Sequence, residues 1–157
     1  MAENLNIETG NSKCYDNDPA NCQKYGRLYD WNTAKTACPS GWHLPSDEEL
    51  ETLVNFAGGS EVAGKKLKAK SGWNDYAGKI GNGTDDFGFS ALPGGYCNED
   101  SNFSAVGGYG LWWSATESNS NNAYYREIGY NGEDNAESVG WDYRNKDNSF
   151  SIRCIQN

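Results

Sequence analysis

Two hydrophobic rhythms run through this chain, one early and one late. Between residues 47 and 70 apolar side chains recur every three or four positions: Leu50, Leu53, Val54 and Phe56 or Ala57, then Val62, Ala63 and Leu67. That spacing predicts two helices, each with one apolar stripe. Ser46 and Glu49 stand in capping-box register at the start of the first, with Leu44 and Leu50 as its hydrophobic staple. Gly58-Gly59 ends it, and Ser60 to Lys70 carries the second. Acidic residues in the opening turn and lysines at the close of the pair suit both helix dipoles. Upstream, Asp30 or Asn32 is placed to cap a short helix over 33–38, stopped by Pro39. Gly26 to Tyr29 predicts a short strand before it. Residues 1–29 otherwise form a strand or loop lead-in, with turn signals at Gly10-Asn11-Ser12 and Asn17-Asp18-Pro19. From Ser71 the rhythm changes to loops (72–75 and 81–86) and alternating segments. Strands are predicted over 87–93, 110–115, 123–130, 139–144 and 150–155. The last places Phe150, Ile152 and Cys154 on one face and Ser151 and Arg153 on the other. Helices early and an antiparallel sheet late make an α+β arrangement, read as a single domain over 1–157.

Composition alters this picture in two ways. Apolar content is only 36%, yet aromatic content is 13%, so burial rests on Trp, Tyr and Phe more than on aliphatic residues. Lys plus Arg number 13 against 22 Asp plus Glu, a net charge of -9. Nucleic acid is thereby excluded, because phosphates need a basic face, and an anionic membrane surface is disfavoured on the same ground. The field favours neutral or cationic partners. No run of about 18 apolar residues is present to span a membrane. Met1 to Asn6 lacks the basic start and apolar core of a secretory signal. The chain therefore reads as cytosolic or as a piece of a longer exported protein.

The five cysteines bear on that choice. None forms a CxxC, and one histidine does not complete a zinc site with them at a recognised spacing. Cys14 and Cys22 bracket a turn-rich loop well suited to a local disulfide. Pairing Cys38 with Cys154 would close a very long loop, worth about 4–5 kcal/mol on the chain-entropy model. Cys97 is then left over. Five reduced thiols in a cytosolic protein is the competing reading.

Five stretches occur in an order that resembles one domain family across nearly the whole chain. They are Cys38-Pro-Ser-Gly-Trp-His-Leu-Pro-Ser46, Gly64-Lys-Lys-Leu-Lys68, Gly83-Thr-Asp-Asp-Phe-Gly-Phe-Ser-Ala-Leu-Pro-Gly-Gly95, Trp113-Ser-Ala-Thr-Glu117 and Ser151-Ile-Arg-Cys154. The family is the Fibrobacter succinogenes major paralogous domain. The resemblance implies a C-type-lectin-like fold, related to that of the formylglycine-generating enzymes, in exported or lipid-anchored bacterial surface proteins. It implies a cysteine on the first helix bonded to one on the last strand, a placement that Cys38 and Cys154 match. It also implies an upstream strand that this chain lacks, so the chain reads as a fragment or as a form without that strand. Cys97 departs from the family pattern.

Several constellations carry candidate chemistry. His43, between Trp42 and Leu44, has no nucleophile or orienting partner by motif and reads as a hydrogen-bonded imidazole at a helix start. A redox pair of Cys97 and Cys154, as in formylglycine-generating enzymes, conflicts with the demand of Cys38 for Cys154. No lectin-type calcium triplet occurs, and Trp73-Asn74-Asp75 lies far from the strand it would precede. Asp85-Asp86, Asn82 and Asn98-Glu99-Asp100 form an oxygen-rich set that admits calcium, but its spacing is not that of an EF-hand and Asp capping of turns is the favoured reading. The segment 117–148 is rich in Tyr, Trp, Asn, Ser, Asp and Arg, the composition of a recognition surface, and is similar to the variable regions of diversified C-type-lectin-like proteins. Within the face spanning 112–145 the candidate ligand-binding residues are Trp112, Asn119, Asn122, Tyr125, Arg126, Tyr130, Trp141, Tyr143 and Arg144. The sequence thus predicts a non-catalytic, exported, surface-displayed binding module that requires no cofactor. Its partner is a glycan, slightly favoured by the aromatic count, or a surface protein. A structural domain without a ligand is the remaining class.

Overall fold

A computed structural model describes residues 3–129 and 137–157. The helices are α1 (Pro19–Tyr25), α2 (Trp31–Ala37), α3 (Asp47–Phe56) and α4 (Ser60–Leu67). The strands are β1 (Tyr29–Asp30), β2 (Trp42–His43), β3 (Tyr96–Cys97), β4 (Phe103–Ser104), β5 (Gly110–Glu117), β6 (Asn122–Ile128), β7 (Val139–Asn145), β8 (Ser149–Phe150) and β9 (Ile155–Gln156). The architecture is α+β, with helices early and antiparallel sheets late. Strand order is β1-β8-β3-β4 in one sheet, β2-β9 in a second and β5-β6-β7 in a third.

Local chemistry accounts for most boundaries. Ser46 and Glu49 close the capping box that starts α3, each accepting from the other's backbone amide. Asp30, not Asn32, caps α2 by accepting from the Thr33 amide at 2.7 Å. The lead-in departs from expectation because Asn17-Asp18-Pro19 opens a helix. Asp18 accepts from the Ala20 amide, and Pro19 occupies the first helical position, where its missing N–H costs nothing. The strand predicted over 87–93 is absent. Asp85 draws that segment into turns by accepting from the Ser90 amide and hydroxyl, and only Ala91 bridges, to Lys68.

The segment 150–155 is broken, and both of its faces are covered. Phe150 pairs with Tyr29, Ser151 bridges to Trp112, and Ile155 pairs with His43. Ser151 and Arg153 are as buried as Phe150 and Ile152. Arg153 lies over the Phe89 ring and donates to Asn4 and to the Phe89 and Ser90 carbonyls. The polar face predicted there is thus an internal polar network rather than a solvated surface.

Two apolar clusters sit on either side of the β5-β6-β7 sheet. One gathers Tyr29, Trp31, Leu44, Trp113, Tyr125, Phe150 and Ile152. The other gathers Val54, Ala63, Leu67, Trp73, Trp112, Ile128 and Val139. Every indole N–H in this centre finds an acceptor: Trp31 donates to the Ser114 carbonyl, Trp113 to the Tyr29 carbonyl and Trp112 to Asn4.

The two disulfides are Cys14–Cys22 and Cys38–Cys154, and Cys97 is a buried free thiol. Their sequence separations are 8 and 116, so chain entropy assigns them unequal weight. Replacing Cys38 and Cys154 together by alanine is expected to lower unfolding stability by about 5 kcal/mol, and replacing Cys14 and Cys22 by about 2.5 kcal/mol. Urea unfolding of the two double variants checks this, and equal losses would refute the loop-entropy account.

Candidate functional site

The central strand β6 positions the site. Its pairing sets Tyr124 opposite Tyr143, Tyr125 opposite Asp142, Arg126 opposite Trp141 and Glu127 opposite Gly140. On its other side Trp112 faces Arg126, Trp113 faces Tyr125 and Leu111 faces Glu127. Side chains alternate across a sheet, so two different surfaces result. Tyr125, Glu127, Asp142 and Arg144 share one face with Leu111 and Trp113. Tyr124, Arg126, Trp141 and Tyr143 share the other with Trp112.

The first face opens into a cleft of about 600 Å³. Tyr96, Tyr109, Tyr125 and Phe150 supply aromatic walls. The Tyr125 ring is fixed edge-on to Trp113, with centroids 6.1 Å apart, and tilted against Phe150 at 4.9 Å. Tyr109 is seated by a glycine: a Cβ at Gly129 would lie 2.2 Å from its ring. Around the aromatic walls stand Asn98, Glu99, Asn122, Glu127, Arg144, Asn145 and Asn148. Asn148 donates to the Asn145 carbonyl at 2.9 Å, which fixes that part of the rim.

The electrostatics of the cleft are set by groups two residues apart on neighbouring strands. Burial, then Asp142, pushes the Glu127 carboxyl above the ordinary carboxylate range, with Arg144 opposing. Burial and then Glu127 raise the Tyr125 hydroxyl. The Tyr125 hydroxyl in turn raises Arg144, so the guanidinium is held firmly charged. Tyr109 is raised by burial and then by Glu127. Glu127 itself makes no hydrogen bond or ion pair among the described residues.

The opposite face carries a second, more open cavity of about 790 Å³, bordered by Asp47, Glu51, Thr116, Tyr124, Arg126 and Trp141. Arg126 is buried and ion-paired with Asp47 at 2.9 Å and Glu51 at 2.8 Å, both on α3. Beside it runs a ladder of rings. Tyr124 lies edge-on to Tyr143 at 6.2 Å and tilted to Trp141 at 6.1 Å. Trp141 is 61% exposed and Tyr143 49%.

The nine predicted residues therefore divide. Asn122, Tyr125 and Arg144 line the cleft, and Tyr143 borders its edge while its ring stands in the ladder on the outer face. Arg126 and Trp141 lie on the opposite face. Trp112 is buried at 3% exposure, with its N–H given to Asn4, so its ring is core rather than surface. Asn119 accepts from the amides of Asn121 and Asn122 and shapes the β5–β6 turn. Tyr130 lies outside the described residues. The sequence reading omitted Tyr96, Tyr109, Glu127, Asn145 and Asn148 from the cleft, and Tyr124 from the ladder. Glu127 carried a signal: it is the one carboxylate of β6, in alternation with Tyr125 on the same face.

The other candidates resolve locally. His43 contacts Asn157 through Nδ1 at 2.6 Å and Glu49 through Nε2 at 3.1 Å, and these partners, Asn157 first, raise its pKa. The Cys97 thiol is raised by burial and faces the Lys13 ammonium at 3.9 Å. Asn82 accepts from the Trp73 amide and Asn98 from the Asn102 amide, so both act as turn acceptors alongside Asp85. No group of three or more His, Cys, Asp or Glu among the described residues converges on one point.

A raised carboxyl has a signed consequence. Between its ordinary ionisation range in the unfolded chain and its higher folded value, the native state holds more protons, so stability falls as pH rises through that window. Glu127→Gln removes this cost. The variant is expected to unfold at higher urea concentration than the native protein at pH 7, with the gap closing below the ordinary carboxylate range. Equal midpoints at pH 7 would show that Glu127 carries no such cost.

No curated protein and no solved structure matches the chain. The family model of the Fibrobacter succinogenes major domain matches residues 1–156. By that match, which takes in the helices, all three sheets and the cleft, the chain belongs to the Fibrobacter succinogenes major domain family.

Proposed function

We propose that this domain is a non-catalytic binding module of an exported bacterial surface protein, and that it holds a glycan in the cleft beneath β5, β6 and β7. The observation that carries this reading is the cleft itself: aromatic walls ringed by Asn, Glu and Arg side chains. Flat tyrosine rings suit the apolar faces of sugar rings, and short polar groups at the rim suit their hydroxyls. The volume of about 600 Å³ lies within the range of small-ligand sites. Two disulfides support an oxidising, extracellular setting, and no described helix is long and apolar enough to cross a membrane. The bond from the end of α2 to the segment before β9 supports a C-type-lectin-like reading of the fold. Binding in this cleft draws on side chains alone and calls for no cofactor.

The exposed Trp141–Tyr124–Tyr143 ladder favours a second reading, a surface protein docked on the outer face. Tyr and Trp are the residues that most often anchor such contacts.

A glycan array of the oxidised protein, with and without calcium, followed by calorimetry, separates these readings. Arg144→Ala combined with Asn122→Ala is expected to weaken glycan binding about tenfold or more, the loss from one charged hydrogen bond at a desolvated site. Trp141→Ala, on the opposite face, is expected to leave that affinity unchanged. Glycan binding lost in Trp141→Ala and kept in the cleft variant would move the ligand to the ladder. An array empty in both conditions would sink the glycan reading and turn the search to protein partners.

A further inference from the structure

Glu127 is the feature of the cleft that a neutral ligand leaves unexplained. It stands on the central strand, opposite Gly140, so no side chain on β7 covers it directly. Among the described residues the groups around it are Asp142 and Arg144 from β7, Tyr109 and Leu111 from the β5 side, Tyr125 from β6 itself, and Tyr96 and Glu99 across the cleft. Arg144 is the one cation among them, and it is already engaged by Tyr125 and Asp142. Glu127 makes no hydrogen bond or ion pair within the described protein. Within the described protein only Arg144 opposes the burial and the Asp142 charge that disfavour its ionised form, so a cation entering the cleft would stabilise it further.

The occupant that meets this condition brings a donor with positive charge. Neutral hydroxyls satisfy the rim equally well but leave the carboxylate beside Asp142 uncompensated. An ammonium supplies a charge-assisted hydrogen bond to Glu127 and lies against tyrosine faces, which attract cations. Resting on the glycan reading of the cleft, we infer that its ligand is an amino sugar with a free amine, whose ammonium seats between Glu127 and the rings of Tyr109 and Tyr125. The raised pKa of Glu127 agrees with a site whose charge is held in reserve for a cation.

Three tetrasaccharides that share a β-1,4 backbone and differ only at C2 test this. Chitosan tetramer carries the amine, chitin tetramer the acetamide and cellotetraose the hydroxyl. Calorimetry of the oxidised protein near neutral pH is expected to give the amine at least about tenfold preference over the other two, the worth of one charge-assisted contact. Glu127→Gln, which keeps shape and removes charge, is expected to bring that preference close to unity. Acidification that protonates Glu127 is expected to do the same in the native protein. Equal binding of the three sugars would overturn the amine inference and leave the glycan reading standing. An amine preference unchanged in Glu127→Gln would overturn the role of Glu127. No binding of any of the three would overturn the inference, and the array of the preceding section then decides whether the glycan reading falls with it.

Discussion

The stack of Phe150 on Trp113, with centroids 4.1 Å apart, is the contact from which this fold is hung. Phe150 lies in β8, which pairs with β1 on one side and β3 on the other. Trp113 lies in β5, the first strand of the three-stranded sheet. The stack therefore reinforces the two isolated backbone bridges, Gly95 to Gly110 and Trp112 to Ser151, that link these sheets, and Trp113 extends the joint by donating to the Tyr29 carbonyl. Chain segments from both ends of the sequence meet at this point, and the Cys38–Cys154 bond locks the arrangement from below. Low aliphatic content is sufficient because a few large rings cover the area that many methyl groups would otherwise cover.

That same stack builds the cleft. Tyr125 is held between Trp113 and Phe150, so its ring is rigid while its hydroxyl reaches the cavity beside Arg144. A wall fixed by the core loses little entropy when a ligand packs on it. The core of the fold and the wall of the cleft are thus continuous. Substitution at Phe150 would loosen Tyr125 before it altered any rim residue.

What the sequence disclosed followed the strength of local rules. The α3 capping box, the Asp30 cap and Pro39 stop of α2, the start of α4, the three long strands and the Cys14–Cys22 disulfide depend on spacing or on nearest neighbours and were legible, whereas the Cys38–Cys154 bond, spanning 116 residues, was legible through the family resemblance. The Asp18-Pro19 helix start was legible too, but its residues also spell a turn, and turn and helix N-terminus use the same chemistry. The buried face of 150–155 depends on a tertiary partner, Arg153 with Asn4, which no local pattern reveals, while the strand expected at 87–93 gives way to a local turn in which Asp85 holds Ser90. At the site, alternation in β6 was visible, but which face was core was not. Both faces carry aromatics, and the identity of the open face is decided by α3 and by the β3–β4 region, distant in sequence.

Adjacent residues on β6 show how those neighbours decide. Arg126 and Glu127 are of opposite charge and point to opposite faces. Arg126 meets α3, whose Asp47 and Glu51 satisfy it, so that charge is a structural element even where it borders the outer cavity. Glu127 meets a cavity, and Gly140 across from it offers nothing. A buried ion pair and an unpaired half-buried carboxylate have opposite effects on stability, and the chain carries both within one dipeptide. The first ties a helix to the sheet. The second disfavours the folded state while ionised, through burial and the Asp142 charge. The asymmetry of partners, more than the abundance of aromatic rings, distinguishes the two faces of this sheet.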